Sequence, residues 1–185
     1  MGISFSMFPV DPAVVQRTGE WLDEYTRERS EPFWAWGQGE AAPTHDPRSF
    51  YMLQFQQLDA NLINPYLEAA YRIDPYSWFA DEQIEYGEGE YSDYFFTSPN
   101  KVAALAATLS VPAKDVREEL DAFARDNLDK VGTWTPVEGY QAVGTTQPGT
   151  VDQFWELIDT LHVELRTFYQ RMADSEQAMI GFFSG

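Results

Sequence analysis

Phe154, Leu157, Ile158, Leu161, Leu165, Phe168 and Met172 recur at intervals that keep returning to one face of an α-helix. A stripe this long is stable only when buried, so the fold must offer a helix of roughly five turns a complementary apolar layer. Thr150 and Gln153 stand where a capping box would open that helix. The apolar run Ala178 to Phe183 beyond it reads as a closing strand.

The opposite end of the chain has a different period. Ile3, Phe5 and Met7 alternate with Ser4 and Ser6 between Gly2 and Phe8, as in a half-buried strand, and Pro9 ends the pattern. Asp11 and Pro12 predict a helix start, with Val14, Val15, Thr18, Trp21, Leu22 and Tyr25 on one stripe and an end before Pro32. Residues 31–47 hold three prolines and two glycines without apolar periodicity, and predict a long loop carrying Phe33, Trp34 and Trp36. Asp46 and Pro47 repeat the helix-start chemistry, followed by Phe50, Tyr51, Leu53, Phe55 and Leu58 on a mixed, largely buried helix. Six acidic residues and no basic one between Asp81 and Asp93 read as a solvated loop.

Tyr94 to Thr97 predicts a short strand, and Ser98 with Pro99 starts a helix bearing Val102, Leu105, Ala106 and Leu109. A further helix is expected from near Pro112 to Gly132, with Val116, Leu120, Phe123, Ala124 and Leu128 inward, and then a loop over 133–149. The sum is an α+β fold over 1–185 as one domain. We expect a small mixed or antiparallel sheet packed by several helices on one side, with a long C-terminal helix followed by a short strand.

A chain of 185 residues needs no covalent staple, and the absence of cysteine removes disulfides, thiolate metal sites and cysteine nucleophiles together. Thirty Asp and Glu against twelve Lys and Arg leave a formal charge of −18, which repels phosphate backbones and anionic headgroups. Nucleic acid and membrane are therefore not expected as partners; the same field would speed encounter with a basic protein, but net charge alone identifies no partner and solubility is the preferred account of the acidity. The first basic residue is Arg17, and no stretch approaches the roughly 20 apolar residues of a membrane span, so the expected compartment is the cytoplasm. Oligomeric state is left open.

Gly37, Gly39 and Ala42 have the spacing of a dinucleotide fingerprint, but Pro43 stops the helix that would meet pyrophosphate. The acidic stretch 81–93 lacks a ligand spacing that favours one metal geometry, so neither metal nor cofactor is expected. Only His45 and His162 could supply imidazole chemistry. Asp159 lies three residues before His162, close enough for a carboxylate to raise its pKa. The pair is either part of a polar site or a boundary histidine satisfied by a neighbour. Trp34, Trp36 and Trp78, with Phe33, Tyr76 and Phe79, offer flat faces to a sugar or cation, or else belong to ordinary core. The candidate binding residues are thus Trp34, Trp36, Trp78, Asp159 and His162, with no catalytic set defined.

Three segments, Met1 to Phe8 (MGISFSMF), Tyr94 to Ser110 (YFFTSPNKVAALAATLS) and Leu165 to Ala173 (LRTFYQRMA) with the apolar strand after it, resemble the YfbM-like family of uncharacterised bacterial proteins. The resemblance implies an α+β fold and a bacterial intracellular origin, and carries no activity with it. Two functional readings follow. The leading one is a non-catalytic binding or protein-interaction domain, such as an inhibitor or immunity-type partner of a basic protein. The alternative is a hydrolase or transferase using carboxylates and His162 beside an aromatic-lined pocket.

Overall fold

The computed structural model describes residues 4–37, 51–54, 63–74, 81–84, 94–128, 133–137, 140–146 and 149–184. In chain order the elements are β1 Ser4–Val10, α1 Gly19–Gly37, β2 Tyr51–Gln54, α2 Ile63–Tyr71, β3 Glu82–Ile84 and β4 Tyr94–Thr97. They continue with α3 Pro99–Ser110, α4 Asp121–Asp126, β5 Thr133–Val137, β6 Tyr140–Thr146, α5 Val151–Asp174 and β7 Ala178–Ser184.

Five strands form one sheet in the order β2-β1-β7-β4-β3, with every neighbouring pair antiparallel. The last strand of the chain is therefore the middle strand of the sheet. Strand periodicity divides its side chains between two layers. Met7 and Met179 join Tyr66, Leu67, Leu105, Leu109 and the α5 stripe on one side. Phe8, Val10, Ala178, Ile180 and Tyr94 meet Leu22 of α1 on the other.

Helices thus cover both faces, where one covered face was expected. The reason lies in the second half of β1 and in β7, where Met7, Phe8 and Val10 and then Ala178, Met179 and Ile180 put buried apolar side chains on both faces. Helix α1 is tied to its face by polar contacts as well. Tyr94, buried in β4, donates its hydroxyl to Asp23 Oδ1 at 2.7 Å and lies 3.3 Å from Thr26 Oγ1.

The two helices with the plainest local signals form as read. Ser98 Oγ accepts from Lys101 N at 3.4 Å at the head of α3. Thr150 Oγ1 accepts from Gln153 N at 3.2 Å, and Gln153 Oε1 accepts in return from Gly149 N at 2.8 Å. All seven stripe residues of α5 are buried, joined by Trp155 and Tyr169.

Other elements differ from expectation. Asp11 and Pro12 open a turn rather than a helix, with Ala13 N donating to Asp11 Oδ1 at 2.9 Å and Val14 N to Asp11 O at 3.1 Å. The same aspartate chemistry serves both motifs, and α1 begins only at Gly19. It then runs through residues 33–36, so Trp34 and Trp36 stand on a helix backbone rather than a loop. Tyr51–Gln54 is a strand beside β1 instead of a helix, and Glu82–Ile84 is a strand within the stretch read as acidic loop.

Toward the C-terminal half, α4 shrinks to Asp121–Asp126. Val116 and Ala124 are nonetheless buried, with Leu120, Phe123 and Leu128 packed against the core. The expected loop over 133–149 contains the hairpin β5–β6, whose threonine, valine and aromatic content favours extended backbone. Residues 55–62, 85–93 and 129–132, on which other expectations fall, lie outside the described residues.

Candidate functional site

His162 projects from α5 at half-burial between two tyrosines of α2. Its Nε2 lies 2.6 Å from the Tyr71 hydroxyl and its Nδ1 3.4 Å from that of Tyr66. Both rings crowd the imidazole, with centroids 5.5 Å away for Tyr66 and 5.4 Å for Tyr71. Burial lowers the pKa of His162, and the positive Arg166 lowers it further. Asp159 pushes the other way and is outweighed. The imidazole is consequently neutral at pH 7, contrary to the expected upward shift. Burial also raises the Tyr71 hydroxyl and pushes Tyr66 up to about 12, so neither is an easily formed phenolate.

Asp159 turns outward, one of its oxygens 2.7 Å from Arg117 Nη2 in an ion pair exposed at both ends. Asp159 and His162 share one helix, yet the hydrogen-bond partner of each belongs to another segment. Trp78, the side chains of Trp34 and Trp36, and His45 lie outside the described residues.

A cavity of about 600 Å³ opens where the end of β1 and α1 approach the turn from α5 into β7. Pro9, Asp11 and Val14 form one wall, and Tyr25 with Arg29 a second. The third consists of Phe168, Arg171 and Met172, completed by Asp174, Ser175 and Gln177.

The fold holds several of these groups in place. Tyr25 donates to Pro9 O at 2.6 Å, stacks on Trp21 at 4.7 Å between centroids, and carries the Arg29 guanidinium 3.4 Å above its ring. Asp174 Oδ1 accepts from Gln170 Nε2 at 2.8 Å. The Arg171 guanidinium has neither ion pair nor hydrogen bond among the described residues, and it also lines a second cavity of about 310 Å³ with Ser110, Arg166, Thr167 and Gln170. Nothing in the sequence marks Arg171, because a basic residue in the last turn of a helix ordinarily complements the helix dipole.

On the solvent side of α1, Glu20, Glu24 and Glu28 follow one another at four-residue spacing, all exposed. Like charges so placed repel, each pair costing an isolated helix a few tenths of a kcal/mol. Leu22 and Thr26, buried on the other side of α1, anchor the helix that carries the row. Among the described residues, no group of three or more His, Asp or Glu is placed to hold a metal ion, and no helix is long and apolar enough to cross a membrane.

Helices on both faces of an antiparallel five-stranded sheet define an α+β protein. Among solved structures, the chain is similar to the crystal structure of YfbM, a protein of unknown function from Escherichia coli. That match covers 100% of both chains at 13% identity and a TM-score of 0.45. No family model and no curated protein matches the chain.

Proposed function

We propose that the chain is a non-catalytic, cytoplasmic binding domain that meets a basic protein through the acidic side of α1. The observation that carries this reading is the row Glu20, Glu24 and Glu28, exposed and mutually repelling on a molecule of net charge −18. A row that weakens its own helix is accounted for if a cationic surface lies against it. The long-range field would speed that encounter, while salt would screen the complex over roughly 8 Å at physiological ionic strength.

The alternative hydrolase or transferase asks His162 to exchange protons with a substrate. Both of its ring nitrogens already face tyrosine hydroxyls, and Asp159 is engaged by Arg117, so no observation favours it.

Affinity purification from the native host at low and high salt tests the proposal. A basic protein should be recovered at low salt, released at high salt, and bound at least roughly tenfold more weakly by the triple variant Glu20→Gln, Glu24→Gln, Glu28→Gln. Recovery of no partner at either salt, or undiminished binding by the triple variant, contradicts it.

A further inference from the structure

The cavity at the α5–β7 turn combines features that the acidic face does not use. Its volume of about 600 Å³ lies within the range of small-molecule sites, roughly 300–1,000 Å³. Apolar surface from Pro9, Val14 and Tyr25 lies in the same lining as the polar groups, over a floor that Phe168 and Met172 close from beneath.

Those polar groups are unequal. Asp11 and Asp174 each already accept a hydrogen bond from the protein, and Arg29 lies on Tyr25 while donating to the Tyr25 carbonyl at 3.2 Å. Arg171 keeps its full fork of donors, and the Ser175 hydroxyl, beside it in the same wall, has no hydrogen-bond partner among the described residues. Four other described cations, Arg17, Lys114, Arg117 and Arg125, are ion-paired, whereas Arg171, which lines this cavity, has no ion pair among the described residues.

Charge is locally balanced here. Two arginines offset two aspartates along the cavity, so its own lining adds no net repulsion of an anion to that of the molecule as a whole. A guanidinium with free parallel N–H groups matches the two oxygens of a carboxylate, which it holds bidentately.

We propose that this cavity binds a small carboxylate with an apolar body, its two oxygens on the Arg171 fork and its body against Pro9, Val14 and Tyr25. The inference is independent of the basic-partner reading, because it concerns a different surface and a different ligand. Either can fail alone.

Titration of the whole protein with phenylacetate, followed by amide NMR shifts, tests it. Saturable shifts should centre on Arg171, Ser175 and Gln177. The neutral analogue phenylethanol and the variant Arg171→Gln should each bind at least roughly tenfold more weakly, the loss expected for one charge-assisted hydrogen-bonded pair. Arg171→Lys, which keeps the charge without the fork, should fall between. Circular dichroism checks that the variants fold, and Ser175→Ala, a surface change expected to weaken binding modestly, serves if Arg171→Gln does not. Absence of saturable shifts, shifts centred away from this cavity, or equal binding of phenylacetate and phenylethanol would overturn the proposal.

Discussion

At the scale of single residues, His162 shows how a polar side chain is accommodated at the edge of a core. Its ring replaces lost hydration with two tyrosine hydroxyls, and its neutral form is the one the surroundings favour. The folded state then binds a proton less readily than the unfolded chain, whose histidine titrates near 6.5. Its contribution to stability is whole above that value and is lost as pH falls through 6.5 and past the lower folded pKa. Replacing His162 with Gln should flatten the fall in denaturation free energy over this acidic window, measured by urea titration at successive pH values. An unchanged slope in the variant would mean that the imidazole is not the group responsible. The sequence pointed to His162 and Asp159 as neighbours, but it could not show that burial and Arg166 would outweigh the carboxylate. Burial depends on α2, whose tyrosines lie more than ninety positions earlier in the chain.

At the scale of elements, what was legible is what local chemistry decides. Helices α3 and α5 carry their own caps and stripes, and Ser98, Thr150 and Gln153 behave as their types dictate. Asp11 with Pro12 suits a turn and a helix start equally, so the late start of α1 at Gly19 was not readable. Tyr51–Gln54 is extended because it borders β1, a tertiary fact that overrides its mixed pattern.

The end of α5 is also decided locally, and against propensity. Gln177 N bonds Met172 O at 2.9 Å and Glu176 N bonds Ala173 O at 3.1 Å, a Schellman closure with Glu176 at φ 52° where glycine is preferred. Glu176→Gly should raise stability by about 1 kcal/mol, since relief of left-handed strain exceeds the added unfolded-state entropy. Chemical denaturation measures this, and a loss of stability would show that the glutamate side chain supports the turn in another way.

At the scale of the molecule, both ends of the described chain meet in the middle of the sheet. Strand β7 lies between β1 and β4, pairing Val10 with Ala178 and Thr97 with Met179. That closure brings Pro9 and Asp11 to the α5–β7 turn and so creates the cavity lined by Arg171. No spacing rule joins residue 9 to residue 177, which is why the candidate site was invisible in the sequence while the α+β class was not.

Placing the last strand at the centre of a doubly covered sheet is what the rest depends on, and hydrogen–deuterium exchange of the native protein measures it directly. The amides of β7 should exchange among the slowest in the molecule, alongside those of α5, and far more slowly than those of the outer strands β2 and β3. Exchange in β7 as fast as in β2 or β3 would contradict the architecture.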